Sequence, residues 1–253
     1  MLILGRDKMK HPERGYAKTF LTQLEECLGL AHDRGCGSSP TPAAQPGRLG
    51  RRGARIGQRL GVPVQVAHVE GDDLLPRAEE LGLGNPLTAN AYLGAWGIVD
   101  CLKSGADVVV TGRVTDASVI VGPAAAHFGW DRTDYDRLAG AVVAGHVIEC
   151  GVQATGGNYA FFTEIPDLTY AGFPLAEIYA DGSSVITKHP GTGGQVSVDT
   201  VTAQLLYEIT GARYANPDVT ARMDSIALSD DGTDRVRISG CSANRRRRRT
   251  RCR

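Results

Sequence analysis

The spacing of apolar residues changes several times along this chain. Over residues 12–33, Tyr16, Phe20, Leu24, Cys27, Leu28 and Ala31 recur at three- and four-residue intervals, which places them on one face of a helix. Pro12 suits its first turn and Gly35 its stop. The period is lost over residues 36–55, where glycine, proline and arginine crowd out large apolar side chains; by composition this reads as a loop or linker. Alternating valines over residues 62–69 predict a strand, and Gly71-Asp72-Asp73 a turn capping a short helix through Leu81. Residues 91–104 read as a helix ended by Gly105, 107–111 as a buried parallel strand, 116–128 as a helix disturbed by Pro123, and 134–149 as another helix.

The second half is richer in β signals. Residues 161–165, 176–180 and 184–188 read as strands, the last two joined at Asp181-Gly182. Residues 198–209 read as a helix capped by Ser197, with Val201, Leu205 and Ile209 inward. Residues 226–228 and 235–238 read as a hairpin through Asp230–Gly232. The order predicts an α/β fold, a mixed sheet with parallel βα units in the first part and antiparallel hairpins in the second.

Composition adds limits. The 253 residues are enough for a substantial core. No apolar run approaches the length of a transmembrane helix, and Met1–Leu4 is too short for a signal peptide, so the chain is expected to be cytoplasmic and away from membranes. The formal net charge is zero, with 28 basic and 28 acidic residues, but the balance is uneven. Residues 59–240 carry a net charge of −12, and the arginines of 35–58 and 241–253 cancel it. An acidic body argues against nucleic acid as a natural partner, whatever the Arg245–Arg249 run suggests. The six cysteines form no Cys-x-x-Cys pair, so no metal site is expected.

Three stretches can carry chemistry. In residues 108–118 a buried strand ends at Gly112 and Arg113 and a helix follows. Ligands of open α/β sheets bind beyond such strand ends, so Gly112, Arg113, Thr115 and Ser118 are candidate ligand contacts. Asp116 reads either as an acid–base group or as a helix cap. Residues 146–159 gather His146, Glu149, Cys150, Gln153, Thr155, Gly156, Gly157 and Asn158. Glu149 can act as a base, with Thr155–Asn158 as ligand contacts. Cys150 reads as a nucleophile or a packed small hydrophobe, and His146 as a satisfied core residue. Residues 187–200 place Lys188 and His189 before a loop of Gly191, Thr192, Gly193 and Gly194 that leads into a helix. Its amides suit a phosphate, a carboxylate or an oxyanion, with His189 and Lys188 as catalytic candidates; a purely structural turn is the other reading.

The stretches EGDDLLP (70–76), NAYLGAWGIVDCLKSGADVVVTGRVTDAS (90–118), AGHVIECGVQATGGNY (144–159), 172–209 and DRVRISG (234–240) resemble the acyclic terpene utilisation family AtuA. The resemblance implies a role in the breakdown of acyclic terpenoids and branched acids as CoA thioesters. It implies an acyl-CoA or carboxylate ligand, no cofactor, and a non-redox step of hydratase, lyase or isomerase type. A non-catalytic partner of an acyl-CoA carboxylase is the alternative, and homo-oligomers fit either.

Two segments depart from the resemblance. In place of 36–55 the family runs an apolar strand into an Asn-Ala-Gly-Gly turn. Codons for Asn-Ala-Gly read one nucleotide late give Thr-Pro-Ala, as at 41–43, and shifted proline codons give arginine, as at 245–249. The chain thus reads as a truncated, partly frameshifted member. Residues 1–240 form an incomplete α/β domain, 36–55 an aberrant loop or disordered stretch, and 241–253 an artefactual tail, and the product is expected to be unstable or inactive.

Overall fold

The computed structural model describes residues 2–11, 15–35, 38–42 and 46–244. The arginine run 245–253 lies outside them, as does Pro12. The backbone is α/β. In chain order it forms α1 (Leu2–Lys10), α2 (Lys18–Asp33), β1 (Ser38–Pro42), α3 (Pro46–Leu60), β2 (Val66–Val69), α4 (Trp96–Lys103) and β3 (Val108–Thr111). Next come α5 (Ser118–Phe128), α6 (Tyr135–Ile148), β4 (Pro174–Ile178), β5 (Ser184–Lys188) and α7 (Val198–Leu206). The chain closes with β6 (Arg213–Ala215), β7 (Thr220–Arg222), β8 (Ala227–Asp230), β9 (Val236–Ser239) and β10 (Ser242–Ala243). Two compact units result, Met1–Thr115 and Asp116–Arg253, where the sequence reads one domain over 1–240. No shift in composition and no Pro/Gly linker marks residues 115–116, so nothing in the residue pattern announces the division.

In the first unit β1, β3 and β2 form a parallel sheet in that order. All of β3 is buried, as its β-branched run requires. Tyr16, Leu24 and Leu28 pack with Leu49 and Ile56 of α3 and with Val108 and Val110. The first predicted helix begins only at Lys18, because Gly15 has a φ of 102° that no helix admits. Cys27, expected on its inner face, is exposed.

The largest correction is at residues 36–55. Instead of a loop, the chain forms β1 and then α3. The glycines read as breakers are the inner face of that helix. Gly47, Gly50, Gly53 and Gly57 are buried beside Leu49 and Ile56, while Arg48, Arg51, Arg52 and Arg55 face outward. A Cβ on Gly57 would stand 2.3 Å from Val64 Cγ1, so α3 lies closer to the segment leading into β2 than a side chain would allow. Packing here outweighs the roughly 1 kcal/mol helix penalty of each glycine.

The second unit is built around α6. Its residues 138–147 are all buried, which is the mark of a core helix. One antiparallel sheet runs β4-β5-β9-β8 and another β10-β7-β6. The hairpin predicted at Asp181-Gly182 joins β4 to β5, with Asp181 Oδ1 accepting from Ser183 N at 2.9 Å. The predicted hairpin ending near residue 238 is the β8–β9 pair. Ser197 caps α7 as expected, in a reciprocal bond with Thr200. Residues 161–165 are not a strand but enclose a 3-10 turn at Phe162–Glu164. Phe161 and Phe162 are exposed there, and the run pairs with no strand among the described residues.

Candidate functional site

In the first unit the sheet's carboxyl edge is organised by Asp72. Its carboxylate is 3% exposed. Oδ2 accepts from Arg113 N at 2.7 Å and from Asn90 Nδ2 at 2.9 Å. Gly112 makes this possible: a Cβ there would sit 1.8 Å from Asp72 Oδ1. The segment before α4 is drawn in as well. Leu93 N donates to Arg113 O at 3.1 Å, and Thr115 N donates to Leu93 O at 2.9 Å. That pairing removes Ala91–Leu93 from the predicted helix and sets Tyr92 beneath Arg113. The Arg113 guanidinium lies 4.2 Å from the centre of the Tyr92 ring and also donates to Tyr92 Oη. A cation is therefore fixed at the strand end by stacking and by hydrogen bonding.

Beside it, a cleft of about 370 Å³ opens between Gly47, Arg48 and Arg51 of α3 and residues Glu70–Asp73. Glu70, which lines it, has its Oε1 3.4 Å from His68 Nε2. The site thus joins two predicted residues, Gly112 and Arg113, to Asp72, Asn90, Tyr92 and His68, which sequence reasoning left unassigned. The only signal for them was their neighbourhood: Asp72 follows one strand and Arg113 another.

In the second unit the predicted glycine loop is a closed piece of architecture. Gly193 N donates to Tyr170 O at 2.9 Å, Gly194 N to Asp167 O and Gln195 N to Thr155 O at 2.9 Å. These amides are used inside the protein, so the structural-turn reading fits them better than an anion cradle. Lys188, 7% exposed, donates to Thr192 O at 2.8 Å and pairs with Asp234 Oδ2 at 3.1 Å. These two contacts hold the loop shut. His189 is exposed, and its carbonyl accepts from Thr192 Oγ1 at 2.7 Å. Thr155 is fully buried and donates to Gly172 O at 2.8 Å, while Asn158 Nδ2 reaches Gln204 Oε1 at 3.3 Å. Gly156 has a φ of 121°, and Gly157 packs against Val152 O, so both serve the turn. Asp116 is exposed just before α5, where Ala117 occupies the cap position; Ser118 is fully buried.

The end of α6 carries a second polar cluster. Cys150 Sγ donates to Glu149 Oε1 at 3.2 Å. Burial, with help from Glu149, pushes the Cys150 thiol up to about 11, which makes it a poor nucleophile at neutral pH. His146 is 2% exposed, its ring 5.3 Å from that of Tyr214. Burial lowers its pKa from 6.5, against the opposing pull of the Leu205, Gln204 and Tyr207 carbonyls and of Glu208. Among the described residues, no group of three or more His, Cys, Asp or Glu side chains is placed to hold a metal ion.

The model of one protein family, acyclic terpene utilisation family protein AtuA, matches residues 1–253, and so runs through 36–55 and 241–253 as well. The chain belongs to the AtuA family. Membership gives it a role in the utilisation of acyclic terpenes. No curated protein and no solved structure matches the chain. Among the described residues, no helix of this AtuA member is long and apolar enough to cross a membrane.

The shifted groups give a pH prediction. His146 binds its proton less readily folded than unfolded, so its contribution is present above about 6.5 and is lost as pH falls through its lowered value. Cys150 and Cys241 behave oppositely, each pushed from 9.0 to about 11, so their contribution is full below about 9 and lost as pH rises towards 11. Urea midpoints measured from pH 5 to 10 should show a plateau between these limits. A midpoint that keeps rising below pH 6.5 would contradict the His146 assignment.

Proposed function

We propose that the protein binds the carboxylate of a branched acid, or the thioester carbonyl and phosphates of its CoA ester, at the carboxyl edge of the parallel sheet. The observation that carries this reading is Arg113, stacked 4.2 Å over Tyr92 and anchored through its backbone by the buried Asp72. A cation held this way loses little entropy on meeting an anion, which favours binding. Arg48 and Arg51 at the neighbouring cleft add positive charge for the phosphates of CoA. We further propose a non-redox step of hydratase, lyase or isomerase type. Glu70 of the cleft wall, with His68 3.4 Å behind it, is suited to hold and pass the proton such a step moves.

Calorimetric titration of the full chain with isovaleryl-CoA and with isovalerate tests this. Arg113→Ala should weaken binding at least tenfold, as expected when a charge-assisted contact is lost. Equal affinity of variant and parent, or binding of neither compound, would refute it. A second reading, a docking partner of an acyl-CoA carboxylase, draws support from the exposed Tyr170 and Phe173, 80% and 71% accessible. Co-purification with a carboxylase in the absence of any acyl-CoA binding would favour that reading.

A further inference from the structure

Tyr92 does more at the strand end than stack. The bridge between Leu93 and Val114 is parallel, so the residues just before them, Tyr92 and Arg113, stand side by side. Their contact is made twice over. The guanidinium lies 4.2 Å from the ring centre, and Arg113 Nη2 donates to Tyr92 Oη. Accepting that bond settles the polarity of the phenol. Guanidinium N–H groups only donate, so the phenol points its own hydrogen elsewhere.

That hydrogen meets no acceptor among the described residues. The Asp72 carboxylate, which organises this edge, is 3% exposed and takes Arg113 N and Asn90 Nδ2 instead. Tyr92 itself is 55% exposed, which leaves the phenol within reach of a ligand. The cation on its acceptor side also makes it a better donor, because hydrogen bonds in a chain polarise one another.

We infer that Tyr92 makes this site selective for a free carboxylate over a thioester, its phenol O–H donating to one carboxylate oxygen while the Arg113 guanidinium holds the other. The inference rests on the anion-binding reading of Arg113 and narrows it to the acid. The two head groups differ in what they offer a pair of donors. A carboxylate brings two charged acceptor oxygens, and bonds to an ionised acceptor are about twice as strong as neutral ones. A thioester brings one neutral carbonyl oxygen and a sulfur that accepts weakly. One of the two donors would then give up water for little in return.

The test is calorimetric titration of the full-length protein at pH 7.5 with isovalerate and with the isovaleryl thioester of N-acetylcysteamine, which carries no phosphates for Arg48 and Arg51 to hold. The parent should bind the acid at least about tenfold more tightly than the thioester. Tyr92→Phe keeps the ring under the guanidinium and removes only the hydroxyl. It should weaken the acid about tenfold and leave the thioester within about twofold, so the preference collapses. A purely structural role for Tyr92 would weaken both ligands by the same factor. The parent's preference is read without any variant, so the test decides even if Tyr92→Phe does not fold. A thioester bound as tightly as the acid, an acid unaffected by Tyr92→Phe, or an equal loss for both ligands overturns the inference and leaves anion binding at Arg113 standing. An acid bound equally by the parent and Arg113→Ala, or bound by neither, refutes that reading and the inference with it.

Discussion

Asp234→Ala should cost the protein about 3 kcal/mol of stability, in the lower part of the range for breaking a buried ion pair from one side. The reason is the position of Lys188. Its side chain is 5% exposed, and its ammonium has Asp234 Oδ2 at 3.1 Å and Thr192 O at 2.8 Å. Removing the carboxylate leaves an ammonium buried with one carbonyl. It also orphans Val196 N, which donates to Asp234 Oδ1 at 2.9 Å just before α7. Asp234 itself is 29% exposed, so water compensates in part, and the low end of the range is the better expectation. Asp234 sits at a φ of 53°, which asparagine tolerates better than alanine. The double variant Lys188→Met with Asp234→Asn removes both charges and should lie closer to the parent than Asp234→Ala does. Urea unfolding at pH 7.5 measures all three. An Asp234→Ala variant within 0.5 kcal/mol of the parent, a loss about the size of a surface change, would show that Lys188 is not held by this pair.

Gly140→Ala should destabilise by about 2 kcal/mol although it replaces glycine inside a helix. Alanine's helix propensity favours the change by about 1 kcal/mol. Against it, the new Cβ would lie 1.9 Å from Gly182 O and 2.8 Å from Gly182 C. That obstacle is backbone, and it cannot retreat. Gly182 has a φ of 89° in the β4–β5 turn, and a Cβ on it would itself stand 2.6 Å from Arg137 Cα. Overpacking of this kind costs about 1–3 kcal/mol, and the rigid partner places it at the top of that range. Gly29→Ala in α2 is the control, since nothing lies within 4 Å of its added Cβ. It should stabilise by up to about 1 kcal/mol. If both variants shift stability in the same direction by the same amount, the close approach of α6 to the turn is not a real constraint.

These two positions show how the residue pattern and the packed structure divide the information. Lys188 and the glycines after it read from sequence as a reactive loop, because a lysine, a histidine and a run of glycines are what such loops contain. Their partners, Asp234, Asp167 and Tyr170, lie 23 to 46 residues away in the chain, and no local spacing connects them. Arg113 was legible because a buried β-branched run followed by Gly-Arg announces a strand end. Asp72, 41 residues earlier, was legible only as a turn. His146 was legible as a core residue, and it is one, at 2% exposure.

The sequence by itself determined the element types wherever periodicity was strong: the β3 run, the α6 helix, the β4–β5 hairpin and the capped α7. It determined the α/β class and the family, because both rest on local patterns and on long contiguous motifs. Only the tertiary structure decided the rest. It made a helix of residues 46–60 by turning glycines into a packing face, divided the chain at residues 115–116, closed the glycine loop on itself and gathered Asp72, Asn90, Tyr92 and Arg113 at one sheet edge. The physical reason is common to all four. A glycine's conformation, an amide's partner and a charge's neutralisation are settled by atoms distant in sequence, and those atoms meet only when the chain has folded.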